Sequence, residues 1–112
     1  MTNILHVTSS IRGDDSVSTS LGSKLIKRLA IKDEATVVTR DLAKNDLPFI
    51  DAERHAANLA PYADRSDAQH GLAKIADELI DELDAADTIV FSVPVYNFTV
   101  PATLKAWADL VA

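Results

Sequence analysis

The chain has no cysteine, so disulfides and thiolate chemistry are excluded, and a reducing cytosol is the expected setting. Basic residues are in short supply. Eleven Lys and Arg stand against seventeen Asp and Glu, a net charge of -6, and no basic cluster is present to offset repulsion from a phosphate backbone. A nucleic-acid partner is therefore not expected. No apolar run approaches the roughly 18 residues that a membrane span requires, and the first residues carry neither a basic segment nor a long apolar one. The expectation is a cytoplasmic protein without membrane association. His6, His55 and His70 are scattered without metal-ligand spacing, so no metal site is expected. G-x-x-x-x-G-K, G-x-G-x-x-G and G-x-S-x-G are all absent, which removes the Walker loop, the dinucleotide fingerprint and the serine-hydrolase elbow. Asn97-Phe98-Thr99 matches a glycosylation sequon only formally, since nothing marks a secretory route.

What is present is an ordinary globular composition over 112 residues, 47% hydrophobic and 25% charged, enough for one domain with a core. The stretch Ile4 to Ser10 and the loop after it, Ile11 to Ser18, organise the rest. An aliphatic, β-branched run leads into small hydroxyl and turn residues, and Leu21, Leu25 and Leu29 then recur at a spacing of four. That is strand, loop and helix. A loop entering a helix presents unpaired N–H groups and the positive end of a dipole, which suits an anion. Here Ser9, Ser10, Ser16, Ser18, Thr19 and Ser20 add neutral donors, so one reading is a phosphate cradle. The other is that Ser16 or Ser18 merely caps the helix.

The first helix is expected over Val17 to Leu29, with Lys24, Lys27 and Arg28 in its second half where cations favour the dipole. Asp33-Glu34 reads as a turn and Ala35 to Arg40, rich in β-branched residues, as a second strand. Residues 41–65 form a long connection with Pro48 and Pro61 and a short helix over Asp51 to Leu59; no role for it follows from sequence. Ser66-Asp67-Ala68-Gln69 fits a capping box, and Leu72, Ile75, Ala76, Leu79, Ile80 and Leu83 behind it keep an amphipathic helical spacing. The acidic face of that helix is read as solvated surface. Thr88 to Pro94 is a third strand whose near-continuous apolar run predicts burial on both faces. A last helix follows, with Pro101 at its first position and Leu104, Trp107, Ala108 and Val111 toward the core.

Strands separated by helices imply parallel β-α-β units. With the first strand central, the order is 2-1-3, and the switch point lies between strands 1 and 3, where such sheets bind ligands beyond the carboxyl ends. Two loops converge there, Ser9 to Ser18 and Pro94 to Thr99. The second packs an amide, two aromatics and a proline into a few residues and could lie along a flat heterocycle. Together the loops favour a nucleotide-like or flavin ligand over two unrelated turns.

At these residues the sequence resembles the FMN-dependent NADH-azoreductases and related NAD(P)H:quinone oxidoreductases, which have a flavodoxin-like fold. The resemblance rests on Ser9-Ser10 with Ser16-Val17-Ser18, on Arg40-Asp41-Leu42, and on Pro94-Val95-Tyr96-Asn97-Phe98 with Leu104-Lys105-Ala106-Trp107 behind it. It covers the whole chain and implies a three-layer α/β/α fold with a parallel sheet in the order 2-1-3. Residues 1–112 would be a single flavodoxin-like domain that stops after the third β-α unit, without the family's strands 4 and 5 or its Gly-rich loop after strand 4. By the resemblance, Ser10, Ser16, Val17 and Ser18 would hold the FMN phosphate and ribityl chain. Val95, Tyr96, Asn97 and Phe98 would lie along the isoalloxazine. The implied activity is hydride transfer from NADH or NADPH through FMN to a quinone or azo compound, in a homodimer, with no side chain required as acid, base or nucleophile. Two alternatives are a flavodoxin-like electron carrier and a non-catalytic domain that only associates. An unpaired apolar edge at strand 3 would invite association.

Overall fold

A computed structural model describes residues 2–32, 34–44 and 46–112. The chain alternates as expected: β1 (Thr2–Thr8), α1 (Val17–Lys32), β2 (Ala35–Asp41), α2 (Ala52–Leu59), α3 (Asp67–Ala85), β3 (Thr88–Ser92) and α4 (Ala102–Val111). Short 3-10 turns at Gly13–Asp15 and Tyr62–Asp64 precede α1 and α3. The turn expected at Asp33-Glu34 lies partly outside the described residues. The three strands form one parallel sheet in the order β2-β1-β3. Thr8 at the end of β1 is level with Asp41 of β2 and Ser92 of β3, so the loops after β1 and β3 leave the same edge side by side.

Alternation along β1 divides the core between two faces. Leu5 and Val7 pack with Leu42, Leu79, Trp107 and Leu110, which places α3 and α4 on one side. Ile4 packs with Ile26 and Val90, which places α1 on the other. This is the three-layer α/β/α arrangement of a flavodoxin-like fold. No helix among the described residues is long and apolar enough to cross a membrane.

Local chemistry accounts for the helix starts. Ser66 Oγ accepts from Gln69 N at 3.2 Å while Gln69 Oε1 accepts from Ser66 N at 3.0 Å, the reciprocal capping box that opens α3. Asp51 Oδ1 accepts from Arg54 N at 2.8 Å and caps α2. Pro101 is the N-cap of α4 rather than its first helical residue, because its extended ψ of 147° keeps it outside while its carbonyl accepts from Leu104 N at 3.0 Å. The long connection after β2 is packed rather than idle. Leu42 is fully buried, Leu47 and Ile50 lie against the same core, and Arg65 ties the stretch to α3 through Asp77 Oδ2 at 2.7 Å.

Two expectations about burial are corrected, in β3 and at Ile80 of α3, and α1 settles a face that its spacing left open. Leu21, Leu25 and Leu29 do not meet the sheet; they are 60%, 48% and 42% exposed, and α1 turns Gly22 and Ile26 inward instead. The spacing of four identified a helix but not its buried side, because Gly22 lets the backbone approach β1 and β3 more closely than a leucine could. β3 is not buried on both faces: Val90 and Ser92 are, whereas Ile89 and Phe91 are partly open, Phe91 resting edge-on against Trp107 at 5.4 Å. In α3 Ile75, Ala76, Leu79 and Leu83 face the core as expected and Ala73 joins them, whereas Ile80 lies at the surface.

Candidate functional site

The loop after β1 is built by short-range bonds. Ser10 Oγ accepts from Arg12 N at 3.2 Å, Gly13 turns the chain with φ of 58°, and Ser16 N donates to Gly13 O at 3.1 Å. Ser16 then opens α1. Its hydroxyl accepts from Thr19 N at 3.1 Å and lies 3.1 Å from Ser18 Oγ, so the capping reading holds for this side chain. Capping does not exhaust the helix end. The amides of Val17 and Ser18 make no hydrogen bond among the described residues, which is the usual condition of the first turn of a helix and leaves two donors at its positive end.

The loop after β3 is built differently. Tyr96 and Thr99 exchange two backbone hydrogen bonds, N to O at 2.8 and 3.1 Å, and Asn97 and Phe98 between them take positive φ values of 50° and 68°. This tight turn throws Phe98 wholly into solvent. The Tyr96 hydroxyl points the other way, accepting from Ile11 N at 3.0 Å and standing 3.4 Å from Ser10 Oγ.

Between the two loops lies a cavity of about 370 Å³. From the first loop and α1 it is lined by Ser10, Arg12, Ser16, Val17, Ser18 and Leu21, and from the second by Pro94 and Tyr96. Five of the eight residues expected at the ligand thus share one concavity: Ser10, Ser16, Val17, Ser18 and Tyr96. Val95, Asn97 and Phe98 are not in its wall; all three are exposed, Val95 by 74%. Arg12, Leu21 and Pro94 were not singled out as ligand residues. Arg12 is a cation within the serine loop, a signal legible in the sequence, whereas the spacing of Leu21 marks a helix without saying which way the side chain faces.

Other members of the expected cradle stand elsewhere. Ser9 is buried and donates from Oγ to Ser92 O at 3.2 Å, stitching β1 to β3. Thr19 belongs to a neighbouring cavity of about 210 Å³ with His6, Thr8, Asp14, Asp41 and Lys44, and Ser20 is exposed. Neither Asp14 nor Asp15 lines the larger cavity, so no carboxylate stands in its wall. In the wall of that neighbouring cavity, buried His6 sets Nε2 2.6 Å from Ser92 Oγ, and burial holds its imidazole below the ordinary pKa.

A family model described as flavodoxin-like fold matches residues 2–112. The chain belongs to this family. Among flavodoxin-like relatives, it is 62% identical over 112 residues to an FMN-dependent NADH:quinone oxidoreductase of Erythrobacter litoralis (strain HTCC2594), covering all of this chain and 56% of that protein. An FMN-dependent NADH:quinone oxidoreductase 2 of Cupriavidus pinatubonensis is 41% identical, with 99% and 54% covered. Among solved structures, an azoreductase from Bacillus anthracis str. Sterne superposes with a TM-score of 0.86 at 26% identity, over 100% of this chain and 56% of that one. The chain therefore spans about half the length of the relatives it matches. In this flavodoxin-like chain the cavity sits at the switch point of the sheet, beyond the carboxyl ends of β1 and β3, where the topology predicts a ligand.

Proposed function

We propose that this chain provides the phosphate side of an FMN site in an oxidoreductase that uses NADH to reduce quinones or azo compounds. The observation that carries the reading is the cavity itself: a helix N-terminus with the free amides of Val17 and Ser18, hydroxyls of Ser10, Ser16 and Ser18, the cation of Arg12, and no carboxylate in the wall. That donor set fits a phosphate monoester. The apolar side made by Pro94, Leu21 and the Tyr96 ring suits the less polar remainder of the ligand. Val95, Asn97 and Phe98, exposed next to Tyr96 in the chain, are proposed to lie along the isoalloxazine, and the names of the relatives support both FMN and NADH.

Bound FMN would supply the two-electron chemistry by which NADH reduces a quinone to a quinol. The chain's own residues would bind and orient: donors at the α1 terminus fix the phosphate, and the two loops set the depth of the ribityl chain between them. No side chain is assigned an acid, base or nucleophilic role. A cytoplasmic homodimer is part of the same proposal, supported by the absence of cysteine and by the exposed apolar side chains of Leu21, Leu25, Leu29, Val95 and Phe98.

The test is a fluorescence titration of FMN and of riboflavin against the wild type and a Ser16→Ala/Ser18→Ala variant, in this chain and in the same positions of a full-length relative. The variant should lose about tenfold in FMN affinity and little for riboflavin, because only FMN carries the phosphate. Affinity in this chain is expected to be weak and much tighter at full length, where enclosure of the ring is completed. Equal losses for both flavins would return the serines to a capping role alone.

A further inference from the structure

The two loops around the cavity are separated by more than eighty positions and, among the described residues, the side chain of Tyr96 joins them. Tyr96 Oη accepts from Ile11 N at 3.0 Å and lies 3.4 Å from Ser10 Oγ, which itself accepts from Arg12 N at 3.2 Å. Groups of three consecutive residues in the first loop thus depend, directly or through Ser10, on a phenol delivered from the second. The tyrosine is fixed from behind as well, by its two backbone bonds to Thr99. The turn that holds it keeps Asn97 and Phe98 at φ of 50° and 68°, a conformation that costs about 1 kcal/mol or more for each non-glycine residue and persists only where the surroundings over-determine it. Here the result of that strain is a tyrosine directed back across the carboxyl edge of the sheet.

We propose that Tyr96 is a positioning residue for the anion: its hydroxyl latches the Ser10–Arg12 segment and so sets the direction in which the loop donors and Arg12 meet a phosphate. The inference rests on the FMN reading of the cavity and assigns the hydroxyl a role that contact with a ring would not need. A phenylalanine would wall the cavity equally well, but it cannot accept from Ile11 N. Without that acceptor the Ile11 amide turns to water, and the segment from Ile11 to Gly13, exposed throughout, regains conformational freedom that ligand binding must then remove.

Two measurements on wild-type and Tyr96→Phe protein test this. The first is amide hydrogen exchange by NMR. The Ile11 amide should exchange about tenfold faster in the variant, as expected for one lost hydrogen bond, while the Leu5 and Val7 amides in β1 keep their rates and so report an intact fold. The second is titration with FMN and riboflavin, in which the variant should lose about five- to tenfold for FMN and little for riboflavin. Ser10→Ala, which spares the bond from Ile11 N, should leave Ile11 exchange close to wild type. Unchanged exchange at Ile11 in Tyr96→Phe would overturn the latch. Faster exchange with equal losses for both flavins would overturn the positioning role and leave Tyr96 a wall. If the wild type binds neither flavin, the functional reading fails by itself, and the Ile11 rate still decides whether the latch exists.

Discussion

At the scale of single residues, a buried polar pair joins the first and third strands where His6 meets Ser92. The imidazole is buried, its Nε2 is 2.6 Å from Ser92 Oγ, and desolvation lowers its pKa from the ordinary 6.5. The folded state thus takes up its proton less readily than the unfolded chain. The contribution of His6 to stability is complete above the unfolded value, and falls as pH drops below it toward the lower folded value. Denaturant titrations between about pH 7.5 and about pH 5 should show the wild type losing stability on acidification more steeply than His6→Asn, whose amide does not titrate in that range. Parallel curves for the two proteins would show that His6 accepts its proton in the fold as easily as in water. Tyr96 belongs to the same scale: one hydroxyl joins loops that no sequence pattern connects.

At the scale of elements, the seating of α1 on the sheet depends on one missing side chain. A Cβ placed at Gly22 would land on Ser92 Oγ and within 2.7 Å of His6 Nε2. Two effects compete in Gly22→Ala. Helix propensity favours alanine by up to about 1 kcal/mol, while forcing a methyl into a closed, hydrogen-bonded contact costs roughly 1–3 kcal/mol and separates the His6–Ser92 pair. The steric term wins, so Gly22→Ala should lower the unfolding midpoint. Gly71 in α3 is the control, since a Cβ there meets nothing within 4 Å and propensity alone should raise stability. Thermal unfolding of both variants decides it, and a stabilised Gly22→Ala would show that α1 can lift from the sheet without cost. The pair linking β2 to α3 shows a second kind of joint. Arg40 Nε and Nη2 reach both oxygens of Glu82 at 2.9 and 2.6 Å, a bidentate geometry that raises the arginine pKa further.

At the scale of the whole molecule, the chain is a slab. Its radius of gyration is 15.6 Å, against about 13 Å for a compact domain of this length, and its shortest axis spans only 18 Å. Apolar surface stands open on this slab among the described residues: Leu21, Leu25 and Leu29 along α1, and β3, which pairs with β1 alone. Leu21 also lines the cavity with Pro94 and Tyr96, so the α1 stripe begins on the side of α1 toward the loop after β3. An open strand edge near an apolar helix face favours association. Sedimentation should show self-association that rises with concentration, and Leu25→Glu should weaken it by about tenfold while leaving the circular dichroism spectrum unchanged. A wild-type chain that stays monomeric at high concentration would refute this.

The parts of this protein that local chemistry can write were legible beforehand. The period of apolar residues distinguishes helix from strand, Ser66 with Gln69 marks a helix start within four positions, and alternating strands and helices leave few topologies besides the parallel order 2-1-3. The switch point and the two loops that meet there follow from that order alone. What tertiary structure decided is every choice that depends on a distant partner. Which side of α1 faces inward was set by the room that His6 and Ser92 leave at Gly22, not by the leucines. Ser9 went to Ser92 rather than to the cavity, and Tyr96 crossed to Ile11 while Phe98 was left in water, because a strained turn fixes their directions. Sequence spacing carries the period of an element, which is a property of neighbours along the chain. The direction of a side chain at a site depends on contacts across the fold, and these exist only once the sheet has brought the loops together.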